Sequence, residues 1–380
     1  MNKTELIIKA SVVEDALLDD VKKMIEDNPL LFEGEKVVLM ADAHRGANVP
    51  VGFTMTLSKG LIPVEFVGSD LFCGVTGLII RDFVPNNHSL DLLTRWGRDL
   101  LPVHRRLGDR GIITDMGTLG RGNHYVELGF NGKDTLISVH TGSRNFGGEL
   151  YKRHLQVAKE HTEKLDKDFI TRVMKELPPQ MRQDFLDTMK SKQKDYTTPL
   201  LNTSLYPNYW AELGDAKTYA ETNRALMVNI VFKLLTGTFL HETELATESV
   251  ESIHNYVDNE GAVPILRKGA IKAVEGERVI IPINMRDGVI VGVAKGTELL
   301  NASLPHGAGR VLSRRKAHET LSLEQFKEDM AHVRSSTVCD KTLDESPRAY
   351  KSIDVILQDI SPYLESYEIF KPIFNYKGVE

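Results

Sequence analysis

Hydrophobic and polar positions follow two patterns along the chain. Short apolar runs at residues 37–40, 64–67 and 136–139 predict buried strands, and within two residues each run is followed by glycine or by a polar, titratable side chain. Apolar residues at helical spacing cover residues 12–25 and 90–101 and predict amphipathic helices. The pattern therefore predicts short strands that end in chemically active side chains.

A longer stretch in the middle of the chain has a different character. Residues 149–250 are charged and mostly of helical periodicity, and they predict a mostly helical insertion. Residues 279–282 and 289–293 predict two further strands, joined through Asp-Gly as in a hairpin. Together these elements predict one α+β domain over residues 1–380, with mixed, largely antiparallel short strands around a deep site and helices outside.

Composition and charge narrow the class of protein. The chain has 380 residues, of which 41% are hydrophobic and 26% charged, and a net charge of −6. Any binding of nucleic acid must therefore come from a local basic patch. The chain has two cysteines, no apolar leader segment and no apolar run long enough to span a membrane. We therefore expect a cytoplasmic protein that is not bound to a membrane.

Five side chains have the residue types of metal ligands. Asp70 and Cys73 are three residues apart, and a thiolate beside a carboxylate suits a divalent transition metal. His124, His140 and His254 each stand near glycine or at the end of a predicted strand. Five ligands are too many for one tetrahedral site and suit two ions that share a bridging thiolate. The alternative for Cys73 is a small buried hydrophobic residue.

Residues 304–310 place a single imidazole, His306, among proline, glycine and alanine. Three arginines follow within nine positions, Arg310, Arg314 and Arg315. The small residues let another molecule approach the ring, and each arginine presents a planar fork that fits phosphate oxygens. This arrangement favours a nucleophilic histidine that faces phosphate, and with two metals it indicates phosphoryl or nucleotidyl transfer. The alternative is a turn in which His306 only packs locally.

The first predicted strand also ends in a titratable group. Asp42 follows residues 37–40 and precedes a short polar segment. Polar groups at strand ends often belong to sites, because a rigid sheet holds them in place. The alternative for Asp42 is a cap on a turn in a solvated loop.

The motifs that carry these residues occur in a recognisable order. They are Asp70-Leu71-Phe72-Cys73-Gly74, Gly120-Arg121-Gly122-Asn123-His124, His140-Thr141-Gly142-Ser143-Arg144, His254-Asn255, Arg267-Lys268-Gly269-Ala270, His306-Gly307-Ala308-Gly309-Arg310, Glu345-Ser346-Pro347-Arg348-Ala349-Tyr350-Lys351 and Lys377-Gly378. In this order they resemble the motifs of the RtcB-type RNA ligases, and the resemblance runs nearly from end to end. It implies an α+β fold around a central, deep dinuclear metal site.

The activity that the resemblance implies is a GTP- and Mn²⁺-dependent RNA ligase. Such an enzyme joins RNA 3′-phosphate or 2′,3′-cyclic phosphate ends to 5′-hydroxyl ends, through a guanylylated histidine and an RNA-ppG intermediate. His306 would be the guanylylated residue, and Asp42 would assist later steps. Cys73 would bridge two Mn²⁺ ions, completed by Asp70 and His124 at one and by His140 and His254 at the other. Nucleotide contacts would come from Asn123, Glu127, Asn255, His306, Gly307, Gly309 and Lys377, and contacts to RNA or phosphate from Arg144, Arg310 and Arg314.

The resemblance also implies partners and leaves alternatives open. RNA with broken ends, either tRNA halves or damaged RNA, would be the substrate, and an archease-like activator is a further implied partner. Residues 283–288 are shorter than the family's glycine- and serine-rich connection, so nucleotide contacts there stay open. One alternative function is a two-metal phosphohydrolase or cyclic phosphodiesterase without a covalent nucleotide. Another is an RNA-binding relative without catalysis.

Overall fold

The computed structural model describes residues 4–100, 105–107, 112–186 and 198–378. Most of its strands are short. In chain order they are β1 (Glu5–Ile8), β2 (Lys36–His44), β3 (Val51–Thr56), β4 (Leu61–Pro63), β5 (Gly74–Ile80), β6 (Arg105–Leu107), β7 (Ile112–Thr114), β8 (Tyr125–Phe130), β9 (Thr135–Thr141), β10 (Leu200–Asn202), β11 (Thr247–Ile253), β12 (Tyr256–Asp258), β13 (Ile265–Lys268), β14 (Ala270–Lys272), β15 (Arg278–Asn284), β16 (Gly288–Ala294), β17 (Ser303–Pro305) and β18 (Leu364–Lys377).

The helices differ widely in length. In chain order they are α1 (Asp15–Asp27), α2 (Pro29–Phe32), α3 (Val64–Val67), α4 (Asn87–Leu100), α5 (Arg144–Glu176), α6 (Tyr209–Thr236), α7 (Arg314–Thr320), α8 (Leu323–Asp329) and α9 (Ile353–Ile360). Single turns of 3₁₀ helix connect several of them, including Asp340–Glu345 and Pro347–Ala349. Within the described ranges, no helix has an apolar stretch long enough to cross a bilayer.

Two large sheets organise the chain. The larger has seven strands in the order β11-β5-β9-β8-β18-β16-β15, and every neighbouring pair in it is antiparallel. The other has five strands in the order β1-β2-β3-β13-β12, in which β1 and β2 are parallel. Two-stranded ladders join β10 to β4, β14 to β17 and β6 to β7. The predicted α+β class with largely antiparallel strands is confirmed.

Helix α6 connects the two main hydrophobic cores. Its N-terminal half, through Leu213 and Ala220, packs into the core that also contains strands β2 and β3. Its C-terminal half, through Met227 and Phe232, packs against the face of strands β5, β8 and β9. The burial of these apolar side chains in two places fixes the helix against the larger sheet.

Three details differ from the sequence-based expectations. Residues 64–67 form helix α3 and not a strand, because the chain turns sharply between Pro63 and Gly68, which has φ +84°. Strand β11 begins at Thr247, so the last residues of the predicted helical stretch 149–250 belong to the sheet. Pairing with β5 stabilises the strand there in spite of the charged residues in this segment. The 14-residue strand β18 was not predicted, although it lies inside the larger sheet.

Candidate functional site

The strand pairing brings the predicted metal ligands to one edge of the larger sheet. Cys73 directly precedes β5, whose first residue, Gly74, pairs with Thr141 on β9 and with Ile253 on β11. His140 and His254 are the chain neighbours of those two partners. In an antiparallel pair the start of one strand lies beside the end of the next. The sheet therefore places a thiol and two imidazoles side by side.

The five predicted ligands form a row with sulfur in the middle. Cys73 Sγ lies 3.3 Å from His124 Nε2 and 3.2 Å from His140 Nε2. At one end His124 Nε2 is 2.9 Å from Asp70 Oδ2, and at the other His140 Nε2 is 3.4 Å from His254 Nε2. Two ions that share a bridging thiolate need this order of donors. The structure thus brings all five predicted ligands together.

The protonation of the imidazoles also suits a metal. His124 donates from Nδ1 to the Leu119 carbonyl at 2.8 Å, so its Nε2, which faces Asp70 and Cys73, is the nitrogen that would bind a metal. Burial lowers the pKa of His140 and of His254 well below the usual value, and neighbouring imidazoles lower both further. Neutral imidazoles are the form that binds metal.

The thiol and the carboxyl have opposite shifts. Burial raises the pKa of the Cys73 thiol, and the nearby Asp70 raises it further. Burial by itself raises the pKa of Asp70, but His124 outweighs that effect and the net pKa is lowered. Cys73 Sγ, His140 Nε2 and His254 Nε2 lie within 3.2–3.4 Å of their neighbours in the row, so one cation could contact all three. A divalent cation would satisfy them and deprotonate the thiol, so the residues fit a metal.

The predicted nucleophile lies next to this row. His306 follows strand β17, and its ring centroid is 4.5 Å from that of His254. Its Nδ1 is 2.6 Å from Asp42 Oδ2 and 2.8 Å from the Gly269 carbonyl. Both partners can only accept in this geometry, so the proton is on Nδ1 and the lone pair is on Nε2. The structure therefore orients His306 in the tautomer that a nucleophile requires.

Asp42 is completely buried behind His306. Its Oδ1 has no hydrogen-bond partner among the described residues. Two glycines with positive φ make room for it: a Cβ on Gly52 would lie 2.5 Å from Asp42 Oδ1, and one on Gly309 would collide with the Asp42 backbone. Gly309, predicted to contact the nucleotide, thus has a packing role here.

A cavity of about 860 Å³ connects these groups. The predicted site residues that line it are Asp70, Cys73, Asn123, Glu127, His140, His254, Asn255, His306, Gly307, Gly309, Arg310, Arg314 and Lys377. Asp42 and His124 lie directly behind the lining and contact it through His306 and Cys73. Arg144 does not line the cavity; it takes φ +55° and donates from Nε to Thr118 Oγ1 at 3.2 Å.

Another part of the cavity wall is built around a buried carboxylate, Glu345, which the sequence analysis did not select as a site residue. Glu345 accepts from Tyr350 at 2.7 Å, from Lys377 at 3.0 Å and from Arg314 at 3.1 Å, and Arg310 lies 3.3 Å away. Burial by itself raises the pKa of Glu345, but Lys377 and the arginines hold it at about 2.

Arg310 and Arg314, the predicted phosphate ligands in this part of the wall, differ in their exposure to solvent. Arg310 is largely buried and also donates to the carbonyls of Leu312 and Asp344. Arg314 bonds Asp344 at 2.5 Å, but half of its side chain is exposed. Arg314 is therefore better placed than Arg310 to meet a phosphate.

A second buried carboxylate faces the cavity beside strand β18. Glu127 on β8 pairs directly with Asn375 on β18, which donates to Glu127 Oε2 at 2.6 Å. Burial raises the pKa of Glu127 to about 8. Glu127 Oε1 and Asn375 Oδ1 have no partner among the described residues. Asn375 was missed from sequence, although it lies two residues before Lys377 and so on the same face of a strand.

Asn255 connects the metal row to the backbone beside His306, and Lys268 is a further charged group of the cavity wall. Asn255, in a left-handed conformation with φ +61°, donates to the Asp70 carbonyl at 3.4 Å and accepts from Gly269 N at 3.2 Å. Lys268, which the sequence analysis did not select as a site residue, lines the cavity and donates to the Val67 carbonyl at 3.2 Å. Burial lowers the pKa of Lys268.

Comparison with known proteins gives a consistent result. The family model described as tRNA-splicing ligase RtcB matches residues 97–378. The chain is similar to the RNA-splicing ligase RtcB of Escherichia coli (strain K12), with 26% identity over 95% of this chain and 94% of the relative. It is also similar to the tRNA-splicing ligases RtcB of Nanoarchaeum equitans, at 24% identity over 94% and 93% of the two chains, and of Pyrobaculum aerophilum, at 23% over 84% and 83%.

Proposed function

The chain belongs to the RtcB family of RNA ligases, and from this premise we propose that it joins RNA 3′-phosphate or 2′,3′-cyclic phosphate ends to 5′-hydroxyl ends, with GTP and Mn²⁺. The observation that carries the proposal is His306, whose Nδ1 is held by Asp42 and Gly269 beside the sulfur-centred row of metal ligands.

Two Mn²⁺ ions suit the ligand row. Cys73 would bridge them, Asp70 and His124 would complete one site, and His140 and His254 the other. A thiolate, a carboxylate and imidazoles form a mixed donor set that accepts several first-row divalent metals, so the choice of Mn²⁺ rests on the family. When bound, the ions neutralise phosphate charge and lower the barrier to displacement at phosphorus.

His306 provides the nucleophile in the proposed first step. Its Nε2 lone pair forms an N–P bond to the α-phosphorus of GTP, and the bond to pyrophosphate breaks. The Nδ1 proton stays on the ring, where Asp42 stabilises the positive charge that develops on the imidazole. Asp42 thereby favours the covalent state without taking the proton.

The later steps return His306 to its starting state. An oxygen of the RNA 3′-phosphate displaces His306 from the guanylyl phosphorus, which gives RNA-ppG. The 5′-hydroxyl oxygen then attacks the RNA phosphorus and its proton passes to solvent. The bond from that phosphorus to the bridging oxygen breaks, GMP leaves and the strand is sealed. A 2′,3′-cyclic phosphate must first be opened by water to give the 3′-phosphate.

The unpartnered acceptors near β18 support guanine as the base. Guanine presents two donors, N1–H and N2–H, beside one acceptor, O6. Among the described residues, Glu127 Oε1 and Asn375 Oδ1 are buried without a partner, and Lys377 Nζ, which donates to Glu345 and to the Asn123 carbonyl, has a third donor left. Burial raises the pKa of Glu127 to about 8, and the two guanine donors would stabilise its ionised form, which accepts from both. Adenine offers fewer donors on the corresponding edge, so this group of residues favours GTP over ATP.

RNA with broken ends is the proposed substrate, either tRNA halves or damaged RNA. Phosphates at a break would meet Arg314, which lines the cavity and is half exposed. Contacts to phosphate and to the ends suffice for a ligase, because base sequence need not be read. An archease-like activator, added to the purified protein, is expected to raise the rate of nucleotidyl transfer without changing the products.

The test is incubation with α-labelled GTP and Mn²⁺, followed by denaturing electrophoresis. The wild-type protein is expected to give a labelled band that is labile in acid and stable in alkali, and His306→Ala is expected to give none. Asp42→Asn should lower the labelling rate on the order of 10²–10⁴-fold, because an uncharged amide neither fixes the tautomer of His306 nor stabilises the imidazolium that forms. His241→Ala, which removes an exposed histidine, is the matched control.

The results also separate the competing functions. A band with ATP but none with GTP would overturn the assignment of the base. Labelling of the His306→Ala variant would show that a residue other than His306 is the nucleophile. Metal binding without any covalent nucleotide, together with release of phosphate from RNA ends, would replace the ligase with the two-metal phosphohydrolase or cyclic phosphodiesterase.

A further inference from the structure

A buried arginine in helix α6 has no part in the proposed chemistry. Arg224 is fully buried, as is its neighbour Asn223, and both lie between the two segments of α6 that enter the two hydrophobic cores. A buried guanidinium is unfavourable unless its hydrogen bonds are made inside the protein. The partners of Arg224 therefore show what the structure gains from it.

One nitrogen of Arg224 connects two segments that carry metal ligands. Nη1 donates to the Phe72 carbonyl at 2.9 Å and to the Thr141 carbonyl at 3.0 Å. Phe72 directly precedes Cys73, and Thr141 directly follows His140. A single group thus holds the backbone on either side of the 3.2 Å contact between Cys73 Sγ and His140 Nε2.

A second nitrogen of the guanidinium, Nε, also makes hydrogen bonds, and these fix the orientation of the group. Arg224 Nε donates to Glu251 Oε1 at 2.8 Å and to Thr76 Oγ1 at 3.1 Å. Glu251 is on β11, the strand that leads to His254, and Thr76 is on β5. Arg224 therefore bonds all three strands that present Cys73, His140 and His254.

The backbone at Phe72 explains why a clamp is needed. Phe72 has φ +54°, a left-handed conformation that is unfavourable for an aromatic residue. Such a conformation persists only when neighbouring groups hold it. The hydrogen bond from Arg224 to the Phe72 carbonyl does so, and this conformation determines where the next residue, Cys73, points.

Asn223 supports the remaining imidazole in a similar way. It accepts from Gly117 N at 2.6 Å and donates to the Thr118 carbonyl at 3.1 Å. The next carbonyl, that of Leu119, accepts from His124 Nδ1 at 2.8 Å. Adjacent residues of one helix thus brace the backbone behind His124 and behind the Cys73–His140 pair.

We propose that Arg224 is a positioning residue of the metal centre, which holds the backbone at Phe72 and Thr141 so that Cys73 and His140 meet at one ion. The proposal rests on the metal site in the proposed function. Helix α6 lies inside the stretch that the sequence predicted to be an insertion. The proposal therefore gives part of that stretch a direct influence on metal affinity.

Cobalt binding tests the proposal without measuring activity. Co²⁺ is titrated into the wild-type protein and into Arg224→Lys and Arg224→Gln, and the thiolate-to-cobalt absorption band is followed. Lysine keeps the charge but has one nitrogen, so it cannot bond both carbonyls and also Glu251 and Thr76. Both variants are expected to bind Co²⁺ on the order of 10–100-fold more weakly, with a shifted or weaker thiolate band.

Arg81→Lys is the matched control, because Arg81 also pairs with a glutamate of β11, Glu248, and with the buried Asp134, but at the end of β5 opposite Cys73. Urea unfolding of both lysine variants measures the general loss of stability. A loss of Co²⁺ affinity in Arg224→Lys alone, at similar stability, supports the proposal. Unchanged affinity in Arg224→Lys, or equal weakening in the two variants, overturns it.

Glu251→Gln extends the test to a milder change. It leaves the guanidinium in place but removes the charge that orients it, so it should weaken Co²⁺ binding in the same direction by a smaller factor. If the Arg224 variants do not fold and Glu251→Gln binds as the wild type does, the proposal is wrong. Failure of the wild-type protein itself to bind Co²⁺ would instead reject the metal site and with it the proposed function.

Discussion

Two parts of the cavity wall, the metal end around Cys73 and the paired end around Glu345, use polar side chains in opposite ways. At the metal end, Cys73, His140 and His254 bring a thiol and two imidazole nitrogens within 3.2–3.4 Å of one another, a donor set that suits a metal ion. At the other end, Glu345 already has cationic and hydroxyl partners, among them Lys377 at 3.0 Å. One end is arranged for a ligand from outside the chain, and the other end is neutralised by the protein itself.

This difference separates two kinds of functional residue. Groups whose lone pairs are left unsatisfied gain free energy when a ligand arrives, and they contribute little to folding without it. Groups that are already paired stabilise the folded chain, and a ligand that takes one of them must replace its existing bonds. Substitutions at the two ends should therefore be detected by different measurements.

The largest effect is expected from loss of the sulfur at the metal end. Cys73→Ala removes the only predicted ligand shared by both ions, so we expect ligation to fall by more than about 1000-fold and Mn²⁺ affinity to fall with it. Calorimetric titration with Mn²⁺ and a ligation assay measure the two effects.

Cys339→Ala is the matched control for the thiol. Cys339 is partly exposed and contacts Thr342, outside the ligand row. Both Mn²⁺ binding and ligation should be unchanged in this variant. Normal Mn²⁺ binding in Cys73→Ala would contradict the bridging role and remove the contrast between the two ends.

A smaller effect, seen in stability, is expected at the paired end. Glu345→Gln leaves buried cations without their counter-charge, and we expect the free energy of unfolding at pH 7 to fall by about 3–5 kcal/mol. Glu319→Gln, which changes an exposed partner of Arg315, should alter it by less than about 0.5 kcal/mol. Urea unfolding measures both.

The pH dependence gives a second check on Glu345. Its pKa is lowered from 4.5 to about 2 in the folded protein, so its ionised form contributes stability above pH 4.5, and that contribution is lost as the pH falls toward 2. The difference in stability between the wild type and Glu345→Gln should therefore shrink between pH 4.5 and pH 2. A constant difference across this range would show that packing, and not charge, makes Glu345 important.

The smallest effect is expected from Arg314, which is both paired and half exposed. Arg314→Ala should raise the KM for RNA about tenfold through loss of a charge-assisted contact to phosphate, with little change in kcat. Arg315→Ala, which removes a neighbouring and mostly exposed arginine, should leave KM nearly unchanged. Equal effects of the two substitutions would indicate general attraction of RNA and not a specific contact.

Much of the metal end could be predicted from sequence. Cysteine and histidine are uncommon near glycine next to short apolar runs, so Cys73 and His140 stood out without a structure. Asp70 stood out because it lies three residues before Cys73, although the apolar run that precedes it is helix α3 and not a strand. Their meeting point follows from antiparallel pairing, which sets β9 and β11 on either side of β5. The carboxylates of the paired end could not be selected in this way. Glutamate is common on protein surfaces, and only burial among cations distinguishes Glu345 from the rest.

The sequence by itself determined which residue types are available, and its local periodicity indicated helix α1 and strands β2 and β9. It did not determine the structure of residues 64–67 or strand β18, because pairing and turns outside those segments decide it. The tertiary structure alone decided the pairings across long separations. It placed Asp42 against His306, Glu127 against Asn375, and Arg224 behind Cys73. Such contacts depend on how sheets and helices pack, and packing sums many weak interactions that no short stretch of sequence contains.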